Sequence, residues 1–437
     1  MYDRLGLHRV SSLRAFRHRS FSRFWAGAFV SNVGTWMENI AVGVWVTETT
    51  GRAGWTATVA ALMYLPTLVL GPLGGAFADR RDRRQLFTWL SWFQLLLAST
   101  LALLALLGHL SLAAVSIIVF LAGCANAVLN PVATALLSEI VPREDLLSAI
   151  SLNSAQYNLG RIVGPGLAAA VMAAGGVGAA FAANALSFLA VIVAVAGVRT
   201  PAPAARAHGH IWAEIRTGFR VAREDEGIRT VLWLTLAVGA LVAPFIGLIP
   251  VFAIRELGRG ASGTSLLAAA QGLGAVAAAT VVGALGDRWG RARLLVRSCA
   301  AVALVAALTW LAPRFGWALL GVAALGAAYL ATLSTMSSIC LSRVSRLLQA
   351  RVASLYSLVL SGSYALGLLA LGWAGDRLGV RRVMVSAALL CLGVVAAFWR
   401  AGRLAGVEGP ALFLGTPTPV AVPRVAGPDP VEEMPVR

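Results

Sequence analysis

Residues 71–84 read Gly71-Pro-Leu-Gly-Gly75-Ala-Phe-Ala-Asp79-Arg80-Arg-Asp82-Arg83-Arg84, and residues 283–293 read Gly283-Ala-Leu-Gly-Asp287-Arg288-Trp-Gly290-Arg291-Ala-Arg293. Each is a turn of small residues, an acid and several arginines. Each follows an apolar run of the roughly 20 residues that span ~30 Å of hydrocarbon. Six apolar segments separate the two copies. The same charged turn in the same place, one half of the chain later, is the mark of a duplicated six-helix unit, and parallel repeats are a standard architecture for membrane carriers.

Working outward from the two turns, apolar length punctuated by charge, Gly and Pro predicts twelve spans. The first six are 22–47, 54–78, 86–108, 111–137, 150–173 and 177–198. The second six are 229–253, 263–285, 294–312, 317–341, 352–374 and 383–402. The fold class is therefore an all-α membrane protein, with twelve transmembrane helices in two pseudo-symmetric six-helix bundles. The expected organisation is an N-terminal bundle over 1–198, a cytoplasmic linker over 199–228, a C-terminal bundle over 229–402 and a disordered cytoplasmic tail over 403–437. Within the linker, Ile211, Trp212, Ile215, Phe219 and Ala222 share one helical face, as in an amphipathic helix lying on a membrane surface.

Composition agrees. The 437 residues are 58% hydrophobic and 13% charged, against about 45–50% and about 25% in soluble domains. The net charge of +17 comes from arginine alone, since the chain has no lysine. A basic excess can signal nucleic acid, but these arginines sit in short clusters between apolar runs, as the positive-inside rule requires. With the N-terminus cytoplasmic, most arginines fall inside. The outer exceptions concentrate at Arg377, Arg381 and Arg382. Both termini are then cytoplasmic, in a multi-pass plasma-membrane protein expected to be a monomer. Without lysine there is no Walker A loop. The four cysteines, Cys124, Cys299, Cys340 and Cys391, fall in apolar segments without metal-ligand spacing. Neither cofactor nor metal is expected, and the chain does not read as an enzyme.

Ionisable groups inside spans are costly and functional by default. Two qualify clearly. Glu38 lies fifteen residues beyond Arg23, about 22 Å along a helix, and Arg161 lies midway along the fifth span. Every other acid maps to a loop, a span end or a tail. Burial opposes charge on Glu38 and a nearby Arg161 would favour it. Two readings stay open: Glu38 as a proton carrier, or Glu38 and Arg161 as a permanent pair that joins two helices. Further cavity candidates are Asn32, Trp36, Tyr64, Gln94, Asn126, Tyr157, Asn158, Tyr329, Tyr356 and Tyr364. The aromatic ones read equally as packing or interface anchors.

The repeated turn resembles the cytoplasmic loop signature of the major facilitator superfamily, Gly-x-x-x-Asp-Arg-x-Gly-Arg-Arg/Lys, with Asp82 where glycine is usual in the first copy. The resemblance implies a conformational latch built from Gly71, Gly75, Asp79, Arg80, Arg83, Asp287, Arg288, Gly290 and Arg291. The opening segment, with Phe21-Ser-Arg-Phe-Trp25 and Ser31-Asn-Val-Gly34-Thr-Trp36, is similar to the transmembrane secretion effector, or drug:proton antiporter-3, branch. So are Ser148 through Pro165 and Asn184-Ala-Leu-Ser187-Phe188. That branch includes siderophore exporters and macrolide efflux proteins.

Gly160, Gly164 and Pro165 resemble the antiporter motif of superfamily exporters. Glycines four apart permit close helix approach, with Gln271-Gly272-x-Gly274 as a facing surface on the other half. The implied function is proton-coupled export of an amphipathic small molecule by alternating access, with protons, cargo and lipid as partners. A metabolite uptake symporter or facilitator is the alternative. A receptor or assembly factor would need a soluble output domain, which this pattern lacks.

Overall fold

The computed structural model describes residues 11–71, 82–198, 211–409 and 413. A 3-10 turn, Ser11–Arg17, leads into α1, Arg19–Thr50. Next come α2, Ala53–Gly71; α3, Arg83–Leu106; and α4, Leu112–Ile140. The stretch Leu146–Ala196 is broken at Gly175 and Gly176, the latter at φ 67°, a conformation that favours glycine. Its limbs, 146–174 and 177–196, are α5 and α6. The surface helix α7 is Ile211–Glu224. Then follow α8, Glu226–Glu256; α9, Gly260–Trp289; α10, Arg291–Trp310; α11, Phe315–Ser342; α12, Arg346–Leu378; α13, Val380–Arg400; and a short α14, Ala405–Glu408.

Nine stretches of the described residues are helices long and apolar enough to cross a membrane, and one of the nine is the α5–α6 pair. Adding α1 and α9, which have 32 and 30 residues, gives twelve membrane-length helices among the described residues. Each of the twelve predicted spans overlaps one of them, and the end of the second, 72–78, lies outside the described residues.

Local chemistry starts and stops these helices. Asp82, Ser111 and Asp225 cap α3, α4 and α8 by accepting the backbone N–H of Gln85, Ala114 and Ile228. Gly51, at φ 63°, ends α1. Large apolar side chains such as Trp89, Leu96, Leu186, Val193, Trp317 and Leu390 are left exposed around the perimeter. That arrangement suits hydrocarbon and not water.

Inside, helices meet at small residues. Gly27 and Gly34 of α1 lie against α6, and Gly160 and Gly164 of α5 lie against α1. In the second set, Gly326 of α11 abuts the Gln271 carbonyl of α9, and Gly367 of α12 abuts the Ala240 carbonyl of α8. The sets α1–α6 and α8–α13 touch through Gly43 on Pro250, Gly362 on Leu68 and Gly272 on Ile162. The face that carries Ser11–Arg17 and α14 is called the near face, and the face with the α1–α2 turn the far face.

One sequence expectation needs correction, and a second gains detail. Disorder was expected from 403, but α14 is folded and the Ser345 N–H donates to the Phe413 carbonyl at 2.9 Å. The cause is a buried ion pair: Arg343 grips Asp225 at 2.7 and 3.1 Å and donates to the carbonyls of Val407 and Gly409. Residues 410–412 and 414–437 lie outside the described residues, as does 199–210 of the linker. In α7, Val221 and Ala222 are buried and Gly218 sits against the Arg351 carbonyl of α12, while Phe219 is 54% exposed. The helix thus docks on protein along one edge and leaves Phe219 exposed, which fits a helix lying on a membrane surface.

Replacing Asp225 with alanine leaves the Arg343 guanidinium buried without its carboxylate. The expected loss is about 3–5 kcal/mol, read as a lower thermal midpoint of the detergent-solubilised protein.

Candidate functional site

A cavity of about 100 Å³ lies between the two sets of helices. Trp36 and Glu38 of α1, Tyr64 of α2 and Arg161 of α5 line it from one side, and Gln271 of α9 and Tyr364 of α12 from the other. Most of its wall is apolar, including Pro165 and Pro250, with a few polar groups at the edge. That is the usual make-up of a small-molecule site. Tyr64 and Tyr364 meet edge to face across the divide, with ring centres 4.9 Å apart at 89°.

Glu38 is 9% exposed. One carboxylate oxygen accepts a hydrogen bond from the Asn184 amide of α6 at 2.7 Å. The Asn184 carbonyl oxygens in turn accept the Ser187 hydroxyl. Gly34, one turn before Glu38, makes room for this cluster: a Cβ there would run into Ser187 and Asn184.

Arg161 takes other partners. Its Nε donates to Gln271 Oε1 at 3.1 Å, and its guanidinium lies 5.6 Å from the Trp36 ring centre. The permanent Glu38–Arg161 pair is therefore not formed in this structure. The reason is helical geometry. Trp36 and Glu38 are two residues apart, about 200° around α1, so α5 meets the Trp36 side and α6 the Glu38 side. Gln271 is 3% exposed, and its Nε2 has no hydrogen-bond partner among the described residues. A buried donor without an acceptor, on a cavity wall, is an invitation to a ligand oxygen or a water.

The other expected cavity residues divide. Asn32, Tyr157 and Asn158 line a second cavity of about 310 Å³ among α1, α3, α4, α5 and α6. Its lining carries no charged residue. Asn32 donates to Gln156 there, and the Tyr157 ring meets Trp36 edge-on at 5.9 Å, between the two cavities. Gln94, Asn126, Tyr329 and Tyr356 instead pack between helices. Gln94 donates to the Ala122 carbonyl, Asn126 to Met63 Sδ and Tyr356 to the Leu333 carbonyl, while Tyr329 lies on Phe245.

Of the expected latch, Gly75, Asp79 and Arg80 lie outside the described residues, as do the side chains of Asp287 and Arg288. Gly71 ends the described part of α2. Gly290, at φ 76°, turns α9 into α10. Arg83 pairs with Glu139 at 2.8 Å and Arg291 donates to Ser342 at 2.9 Å, each within its own set. Gly160 and Gly164 pack on α1 and not on α9. The close approach of α5 to α9 is made from the other side, by Gly272 against Arg161 and Ile162.

Residues 10–409 match the family model described as transmembrane secretion effector. The chain belongs to this family of major facilitator transporters. Among curated proteins, the transporter is similar to macrolide efflux protein A of Streptococcus pyogenes. The identity is 22% over 382 residues, 86% of this chain and 94% of that one. It is also similar to the MFS-type transporter YkuC of Bacillus subtilis (strain 168), at 25% over 233 residues, 53% of this chain and 54% of that one. Among solved structures, it superposes on a bacterial homologue of the human lysosomal transporter Spinster with a TM-score of 0.71 at 14% identity, covering 89% and 97% of the chains. The nucleoside transporter NupG gives 0.67 at 12%, covering 87% and 98%. At these identities the structures speak for the fold alone.

Sequence reasoning missed the part played by Asn184, although an amide in the middle of an otherwise apolar sixth span was a visible signal. Gln271 stood out only as a packing surface. The transporter's α1–α5 seam gives a direct check. A side chain at Gly164 would start 2.6 Å from Trp36 Cβ and 2.7 Å from the Val33 carbonyl. Gly164→Ile should therefore cost roughly 1–3 kcal/mol by overpacking, seen as a lower melting point and a smaller monodisperse fraction on size exclusion.

Proposed function

We propose that this transporter is a proton-coupled exporter of an amphipathic small molecule, with Glu38 as the proton carrier. The observation that carries the reading is the setting of Glu38. It is a buried carboxylate on the rim of the cavity between the two sets, held by the neutral Asn184 amide and, among the described residues, by no cation. A carboxylate locked to an arginine resists protonation, whereas one held by an amide can take up a proton without leaving a guanidinium unpaired. Charge on Glu38 can then be exchanged for cargo in the cavity.

The two bundles, 1–198 and 229–402, are the moving bodies in this reading, with the near face cytoplasmic, as the arginine bias favours. Cargo enters the cavity from the cytoplasm and rests its apolar part on Trp36, Tyr64 and Tyr364. An oxygen of the cargo accepts from Gln271 Nε2. Protonation of Glu38 from outside accompanies release, and deprotonation inside resets the cycle. The similarity to a macrolide efflux protein supports export and makes macrolides the first cargo to try.

Two outcomes test this. In inside-out vesicles with an acid-loaded lumen, adding a macrolide to parent protein should raise luminal pH as protons leave in exchange. Glu38→Gln should abolish that signal. Alkalinisation at the parental rate in Glu38→Gln would remove Glu38 from the coupling. Separately, Gln271→Leu, which removes the Nε2 donor together with the acceptor of Arg161, should raise the half-saturating cargo concentration at least about fivefold to tenfold, the worth of one hydrogen bond of about 1–1.5 kcal/mol. The readout is concentration-dependent uptake into the same vesicles.

A further inference from the structure

The turn between α12 and α13 lies at the far face and reads Gly372-Trp-Ala-Gly375-Asp376-Arg377-Leu-Gly379-Val-Arg381-Arg382. Its glycine, aspartate, arginine and glycine have the spacing of Gly283, Asp287, Arg288 and Gly290. The arginines that broke the positive-inside pattern thus belong to a third copy of the charged turn, placed at the opposite face. We propose that this third copy is the latch that closes the far face, with Asp376 serving as the N-cap of α2 across the divide between the two sets.

The first turn of a helix has backbone N–H groups with no partner within the helix, and a cap residue normally supplies an acceptor. At the start of α2 the cap position is Arg52, whose side chain makes no capping hydrogen bond. The acceptor comes from α12 instead. Asp376 Oδ1 accepts the Ala53 N–H at 2.7 Å, and Oδ2 accepts the Gly54 N–H at 2.9 Å. Arg255 donates to Oδ1 at 3.0 Å, and Arg52 Nε stands 3.6 Å from Oδ2. The Asp376 side chain is 9% exposed. A largely buried carboxylate aimed at the positive end of a helix is held by dipole and hydrogen bonds together.

The surrounding seam is built for closure. Trp373 Nε1 donates to Thr58 at 3.1 Å, and its ring meets Trp55 at 5.6 Å and the Arg52 guanidinium at 5.0 Å. A Cβ on Gly54 would sit 2.7 Å from the Trp373 ring, and one on Gly372 would run into Ala57. Glycine on both sides is what lets α2 and α12 come this close.

Arg381 has a different task. It donates to Glu256 Oε2 at 2.8 Å and to the carbonyls of Ala312 and Glu256, all within its own set. The bonds of Arg381 and Arg255 thus hold the turn in place. The bonds of Asp376 and Trp373 to α2 are the ones that must break when the far face opens.

The latch rests on the alternating-access reading above, but on neither its proton step nor its cargo. Ala60 of α2 lines the cavity and serves as a reporter. With the four native cysteines replaced by alanine and Ala60→Cys added, intact cells are exposed to a membrane-impermeant maleimide. Asp376→Asn should speed labelling about tenfold, the worth of weakening charge-assisted hydrogen bonds. Arg52→Asp gives α2 a capping carboxylate of its own and sets a like charge beside Asp376. It should speed labelling similarly while the helix start stays capped, so the test survives if Asp376→Asn fails to fold. Labelling at the parental rate in the folded variants overturns the latch. Because labelling is read without cargo or gradient, it is independent of the Glu38 vesicle assay. Acceleration here with no macrolide-driven pH change there would sink the coupling and keep the latch, and the reverse pattern would sink the latch alone.

Discussion

Hydrocarbon offers the backbone no water, so every peptide group that crosses it must find its partner inside the protein. That constraint shapes the rest of the molecule. Helices satisfy their own interiors, which leaves only their ends and their mutual contacts to be designed. Helix contacts in lipid gain little from hydrophobic burial and depend on close approach. Gly27, Gly34, Gly160 and Gly164 therefore bring α1, α5 and α6 together, and Gly326 and Gly367 do the same work in the second set. Helix ends call for acceptors, which Asp82, Ser111 and Asp225 provide locally. Asp376 provides one at long range.

The same scarcity of water decides where charge can sit. Arg343 and Asp225 neutralise each other in a fully packed spot and pull the chain beyond α13 back onto the near face. Glu38 and Arg161 are the exceptions, placed in mid-span and kept apart by the helical turn between Trp36 and Glu38. Had α5 met the other side of α1, Arg161 would have faced Glu38 instead of Trp36. The separation is set by backbone packing at Gly160 and Gly164, so a packing motif governs the electrostatics of the site.

Much of this was legible in the sequence. Apolar length and arginine clusters gave an all-helical membrane protein, and the helices described are consistent with twelve spans, because crossing a bilayer demands a pattern that tolerates few exceptions. Glu38 and Arg161 stood out for the same reason. Their partners did not, because Asn184 and Gln271 are neutral amides whose importance depends on which helix faces which. The direction of Gly160 and Gly164 was likewise invisible. A glycine pair announces a close contact without naming the neighbour. The folded stretch after 403 escaped because its anchor, Asp225, lies far away in sequence and carries no periodic signal.

The three charged turns are alike in spacing but differ in what their visible arginines hold. Arg83 binds Glu139 and Arg291 binds Ser342, contacts within one set of helices that need not change when the sets move. At the far face, Arg381 behaves the same way, while Asp376 reaches across to α2. In each case arginine stiffens the turn against its own set. At the far face the acid is left free to grip the other set. An arginine could not replace it there, because the start of a helix presents N–H groups and a positive dipole end. The acid at the far face is thus the member suited to meeting the α2 N-terminus, and the arginines beside it are suited to holding the turn steady.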